Sequence, residues 1–285
     1  MTSNWIVLMA IAAVSHASWN FFLKQSANKI VFLWSLRFWA LVIFAVVAAV
    51  LRPGLPAIHW LYWGAGSAAL HCLYSLLLVK AYEGSELALA YPIARGTAPL
   101  VAVLVGWLFL GEGLRIASTA GALLVVVGIV LLYAAPHHGA GMTPLAAMVA
   151  SPWPLLVGLG IAGYTIFDKL AVAHVPPVSL NVMQNIGQVS ILGLLTFGKV
   201  GPVGVIDQWR RYWPRMLLSG FFVGLAYVLV LVVMTTVPVS RVAPVREASI
   251  LCGAILGHVF LKERLGARGL LGAFLIFCGV VAAAY

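Results

Sequence analysis

Charged side chains are scarce in this chain. Only 8% of its 285 residues are Asp, Glu, Lys or Arg, against roughly 25% in an ordinary soluble domain. Acidic groups are rarer still: seven in total, which leaves little from which to build a metal cage or a pair of catalytic carboxylates. Cysteine is nearly absent. Cys72, Cys252 and Cys278 all sit in apolar runs, with neither metal-ligand spacing nor a paired-disulfide pattern, and read as small buried apolar residues. There is no His-Glu-x-x-His, no Gly-x-Ser-x-Gly and no phosphate-cradling Gly-Lys-Ser/Thr loop. These absences argue against an enzyme, a metal or cofactor protein, and a nucleotide-driven pump.

What the chain has is apolar length. It is 63% hydrophobic with a mean hydropathy of +1.07. About 20 mostly apolar residues make a helix long enough to cross a bilayer. Ten such stretches occur, at about 5–23, 30–51, 60–82, 87–110, 116–134, 155–174, 178–198, 214–237, 242–261 and 267–285. The links are mostly short, so nothing remains for a soluble domain. The net charge of +10 would suggest nucleic acid in a soluble protein. Here the Lys and Arg residues fall in loops and at helix ends, and read as topology determinants beside anionic lipid. The expected partners are therefore a lipid bilayer and a small-molecule substrate, not nucleic acid, with the chain a monomer or weak oligomer.

Two stretches repeat each other 151 residues apart. Arg95, Gly106, Phe109, Leu110, Glu112 and Leu114 recur as Arg246, Gly257, Phe260, Leu261, Glu263 and Leu265. The register continues from Gly121 and Gly128 to Gly272 and Gly279. Trp19-Asn-Phe-Phe-Leu-Lys24 echoes Tyr164-Thr-Ile-Phe-Asp-Lys169 at an offset of 145. That places the first segment inside the repeat, and it lacks the basic stretch of a signal peptide. The reading is a first half at 1–134, a linker at 135–154 and a second half at 155–285. Five spans per half is an odd number, so the second half enters the membrane in the opposite sense, as an inverted repeat. Lys199, Arg210, Arg211, Arg215, Lys262, Arg264 and Arg268 fall on one side, with Lys24 and Lys29; Arg52, Arg115 and Arg241 fall on the other. The positive-inside rule then puts both termini outside.

Charged groups at bilayer depth cost at least ~2.5–3.5 kcal/mol each, so they face a cavity or a partner. Arg95 and Arg246 are the clearest cases, with Glu247 beside the second. Each lies among prolines, Pro92 and Pro99 or Pro238 and Pro244. Proline-interrupted helices at matching places in two halves point to a transport site; structural ion pairing or snorkelling is the alternative. Other polar groups fall at helical spacing: His16, Asn20 and Lys24 beside Trp19; His71, Tyr74, Ser75 and Tyr82; Tyr91 with Arg95; Tyr164 with Asp168 and Thr165 with Lys169. Asn181, Gln184, Asn185 and Gln188 form a complete polar stripe. Lipid offers these groups no hydrogen bonds, so they point inward, either as helix–helix contacts or as cavity lining. Trp60, Trp63, Trp209 and Trp213 fit an interfacial belt. Gly253 with Gly257, and the Gly121–Gly128 and Gly272–Gly279 pairs, read as close helix packing.

The His16-Ala-Ser-Trp-Asn20 to Lys24 run, Tyr91-Pro-Ile-Ala-Arg95 leading to Leu110-Gly-Glu112, and the Arg246 to Glu263 copy together resemble the drug/metabolite transporter superfamily, in its EamA-type branch. The resemblance spans the whole chain. It implies an all-α membrane protein of ten transmembrane helices, arranged as two inverted five-helix repeats around a central cavity, in a bacterial inner membrane. It also implies alternating access and, by similarity to bacterial members, export of amino acids or related metabolites. The cavity expected on this basis is lined by Trp19, Asn20, His71, Tyr74, Tyr91, Arg95, Tyr164, Gln184, Gln188, Tyr227 and Arg246. Its aromatic content suits neutral or aromatic amino acids. His71, Asp168, Lys169 and Glu247 are the candidates for proton coupling or gating. A carrier of the same fold for a drug, a phosphonate, or a nucleotide-sugar or phosphosugar-like anion is the alternative, and a non-transporting membrane protein a more distant one. The halves differ chemically: the second lacks an equivalent of Tyr91 and carries Glu247 where the first has Gly96.

Overall fold

The computed structural model describes residues 4–51, 58–84, 87–113, 115–133, 152–262 and 266–285, without the side chains of 79, 82–93 and 261. Every regular element among them is an α-helix: α1 (Asn4–Gln25), α2 (Lys29–Leu51), α3 (Ile58–Gly84), α4 (Leu87–Phe109), α5 (Ile116–Tyr133), α6 (Trp153–Ala171), α7 (Pro177–Met234), α8 (Val239–Arg246), α9 (Ala248–Leu261) and α10 (Ala267–Ala284). In lipid, only a helix or a closed barrel satisfies the whole backbone internally, so long apolar runs become helices. Seven stretches are helical, long and apolar enough to cross a membrane; Ala94–Phe109 and Ile116–Leu132 are shorter apolar helices among the described residues. The linker at 135–154 lies almost wholly outside the described residues, as does Glu263 of the repeat.

Helix boundaries follow local chemistry. Asn28 caps α2, its Oδ1 accepting from the Val31 N–H at 3.3 Å. Proline opens α7 at Pro177, where a missing N–H costs no bond. At 58 residues α7 would be about 87 Å long if straight, almost three times a bilayer core. It is broken at Gly201, whose φ of 72° suits glycine, and Pro202 begins the helix that follows. The stretch read as a loop between two spans is therefore largely helical. The prolines of the repeat behave unequally. Pro92 and Pro99 leave α4 continuous, whereas past Pro244 the chain turns at Glu247, between α8 and α9.

The chain divides into two compact units. One holds Met1–Cys72 and Asp168–Thr235, the other Leu73–Phe167 and Thr236–Tyr285. The boundaries fall within α3, within α6 and between α7 and α8. In the first unit α7 packs on α1 and α2 around Val31, Phe32, Leu36, Ala40, Met216 and Val223. In the second, α5 packs on α10 around Val125, Ile129 and Ile276. This contact is made backbone to backbone. A Cβ on Gly121 would stand 2.6 Å from the Gly279 carbonyl, and one on Gly128 2.6 Å from the Gly272 carbonyl. Gly253 differs: a Cβ there would meet nothing within 4 Å, so it is no close-packing position.

Candidate functional site

Some of the sequence-predicted residues meet in a polar cluster within each unit, and others do not. In the first unit, Asp168 near the end of α6 is fully buried, and His71 and Tyr227 are largely so. The Tyr227 hydroxyl donates to Asp168 Oδ2. His71 Nε2 lies 3.9 Å from the same oxygen, and its ring stands edge-on to Tyr227 with centroids 5.2 Å apart. His71 Nδ1 lies 3.0 Å from the Ser67 carbonyl. A carbonyl only accepts, so Nδ1 carries a hydrogen in either charge state, and it is Nε2 that gains or loses a proton. The titrating nitrogen thus faces the carboxylate.

The amide stripe lies on α7 of the same unit. Asn181, Gln184, Asn185 and Gln188 are each no more than 1% exposed, which bears out their inward orientation. Asn181 Nδ2 donates to the Gly224 carbonyl at 3.1 Å, tying the two parts of α7 together, and Asn185 donates to Asn181. Lys169 donates to the Met234 carbonyl at 2.6 Å, a cation on the last turn of α7. Trp19 packs against the α2–α7 core, and Asn20 donates to the carbonyl of His16 on its own helix at 2.8 Å.

The second unit holds the arginines. Arg95 on α4 pairs with Glu247 at the α8–α9 turn, Nε to Oε2 at 2.9 Å, with side chains 11% and 5% exposed. Its Nη2 also donates to Ser249 Oγ at 3.0 Å. Arg246 donates to Thr165 Oγ1 at 3.0 Å and to the Tyr164 hydroxyl at 3.4 Å, its guanidinium 5.9 Å from the Tyr164 ring. Tyr74 meets Tyr164 edge to face with centroids 5.5 Å apart. Tyr91 is on α4, but its side chain lies outside those described. The repeat-related arginines therefore take different partners, an acid for one and hydroxyls for the other.

The sequence reading did not assign Ser67, Thr165 or Ser249 to a site, and it missed what Glu112 does. Glu112 accepts from the Val239 and Ser240 N–H groups, at 2.6 and 2.9 Å, the first-turn donors of α8 that have no partner within their own helix. The signal was present, since Glu112 belongs to the repeated Leu-Gly/Lys-Glu element. Among the described residues no group of three His, Cys, Asp or Glu side chains is placed to hold a metal ion.

The model of the EamA-like transporter family matches residues 3–134 and again 148–285. The chain is similar to the uncharacterized transporter YwfM of Bacillus subtilis (strain 168), at 26% identity over 75% of this chain and 70% of that one. It is also similar to an uncharacterized transporter in the cobO 3' region of Sinorhizobium sp, at 25% identity over 45% of this chain and 92% of that one. A crystal structure of another protein shares the fold, with a TM-score of 0.78 at 20% identity, covering 99% of this chain and 97% of the other.

Proposed function

We propose, from the premise that this chain belongs to the EamA-like transporter family, that it is a secondary carrier exporting neutral or aromatic amino acids, or similar small zwitterions, by alternating access across a bacterial inner membrane. The observation that carries the substrate class is the setting of Arg246. A guanidinium, two hydroxyls and the rings of Tyr164 and Tyr74 come together within membrane helices. That set offers a charged anchor for a carboxylate and an apolar wall for a side chain. Asp168, Tyr227 and His71 supply a proton-exchanging group at membrane depth. Ten spans in two inverted halves, 1–134 and 155–285 around the 135–154 linker, form the proposed scaffold. Three observations support it. The family model matches twice. Gly121 and Gly128 pair crosswise with each other's copies, as a two-fold axis between α5 and α10 would require. Gly111 and its repeat partner Lys262 both adopt the left-handed conformation.

A second reading, an anion carrier of the same fold, is favoured by the two guanidinium groups that accompany the one carboxylate of Glu247. Proteoliposomes separate the two. Purified protein should accumulate labelled neutral or aromatic amino acids when a pH gradient is imposed. Asp168→Asn should keep substrate exchange across the vesicle wall and lose gradient-driven accumulation. Arg246→Gln should abolish both. Amino-acid flux that is absent under every imposed gradient overturns the substrate, and flux indifferent to pH overturns the coupling. Uptake of an organic phosphate or phosphonate that Arg246→Gln abolishes would select the anion reading.

A further inference from the structure

The helical stretch 202–215 of α7 has three distinct faces. Val205 is buried in the α2–α7 core, with Trp209 and Tyr212 packed against it. Trp209 donates to Ser35 Oγ at 2.6 Å and stacks on Trp39 at 5.6 Å. A second flank is apolar and exposed: Val203 is 82%, Ile206 51% and Trp213 49% accessible. On a helical wheel, Arg210 falls within this flank, between Ile206 and Val203, where its long side chain can snorkel to the headgroups, and Arg211 and Arg215 stand on the opposite side. Arg211 lies over the Tyr212 ring at 5.6 Å.

The depth of this stretch follows from its partners. It packs on residues 31–39, the first turns of α2 after its start at Lys29. Phe22 and Leu23, from the last turns of α1, join the same cluster. This end of the unit is therefore where α1 leaves and α2 enters the membrane, and the stretch runs at the level of the lipid headgroups. Its length fits as well, because two spans of about 20 residues use only part of a 58-residue helix.

Charge is concentrated there. From 199 to 215 the chain carries Lys199, Arg210, Arg211 and Arg215 against Asp207, a net of +3 (4 − 1), and all five are exposed. Lys24 and Lys29 add two more exposed cations at the same end. An apolar flank beside a cationic one is what lies stably in a bilayer interface, and clustered arginines at that level attract anionic lipid.

We propose that residues 202–215 form an interfacial binding surface for anionic phospholipid. Val203, Ile206 and Trp213 enter the acyl boundary, and Arg210, Arg211 and Arg215 engage phosphate-bearing headgroups. The surface serves whatever solute the protein carries.

Native mass spectrometry of the protein from vesicles of equal phosphatidylglycerol and phosphatidylcholine tests this. The wild-type protein should retain phosphatidylglycerol preferentially. In Arg210→Gln/Arg211→Gln/Arg215→Gln that preference should fall about fivefold or more, given the typical attraction of one basic residue to an anionic surface. Salt at about 0.5 M should weaken the wild-type preference in the same direction. Arg268→Gln, an exposed cation of the other unit, should leave it unchanged. Should the triple variant fail to fold, Arg210→Gln and Arg211→Gln read separately give the same test. An unchanged lipid ratio, or an equal fall in Arg268→Gln, overturns the proposal. So does a dimer that forms at a fixed lipid ratio and is lost in the triple variant, since a second copy would then be what covers the face.

Discussion

The two arginines of the repeat show how one residue type at matched positions can be put to different ends. Arg95 is committed to Glu247, a residue found only in the second copy, while Arg246 engages Thr165 and Tyr164. Buried ion pairs are weak evidence for stability, because desolvation offsets their attraction, but removing one partner strands the other. Arg95→Gln and Glu247→Gln should therefore each destabilise by about 3–5 kcal/mol, and the double variant by much less than the sum. Equilibrium unfolding in detergent measures the cycle. Additive losses would show that the pair is not coupled. Each arginine was legible in the sequence as a costly intramembrane charge. Their partners were not: Arg95 and Ser249 are 154 residues apart and Arg246 and Thr165 are 81, and no local pattern joins such positions. His71, Asp168 and Tyr227 were likewise each visible as polar groups inside spans, whereas their meeting depends on how α3, α6 and α7 pack.

At the scale of the helix, glycines divide into those that set a contact and those that do not. Gly128 faces the Gly272 carbonyl and Ile276, so a methyl group there would push two backbones apart. Gly253 faces open space. Gly128→Ala should cost about 1–3 kcal/mol through overpacking. Gly253→Ala should gain about 0.5–1 kcal/mol through helix propensity alone. Comparing unfolding midpoints in one detergent checks both signs, and a neutral Gly128→Ala would mean that α5 and α10 do not pack through this position. The sequence offered the same signal for all of these glycines, small residues at helical spacing, and spacing cannot say which face has a neighbour. Element ends were legible for a different reason. Apolar length places α2 at 30–51 in the sequence and Lys29–Leu51 in the structure, because the bilayer fixes that length. Past Gly201 the signs of a loop misled. The stretch between the spans at 178–198 and 214–237 reads as a loop, yet Pro202 stands at the start of its helix, where no donor is required, and α7 runs on through Pro214.

For the whole molecule, the distribution of charge and the repeat make one joint statement about orientation. If the halves are inverted, the stretch after 199 and the residues that precede α3 in the sequence lie on opposite sides of the membrane. The first of these carries Lys199, Arg210, Arg211 and Arg215, and the second Arg52 alone between 52 and 57. The positive-inside rule then places 199–215 in the cytoplasm and the start of α3 outside. Single cysteines report this directly. Cys72 is buried, and Cys252 and Cys278 are half-buried on spanning helices, so replacing all three with serine removes the background. In that protein, Ile58→Cys, at a position 71% exposed, should react in intact cells with a membrane-impermeant maleimide. Asp207→Cys, also exposed, should react only after the cells are opened. The reverse pattern would turn the whole chain over while preserving the inverted repeat. Labelling of both from outside would place an even number of spans between them and remove the basis for inversion, because the five spans assigned between residues 58 and 207 put these positions on opposite faces.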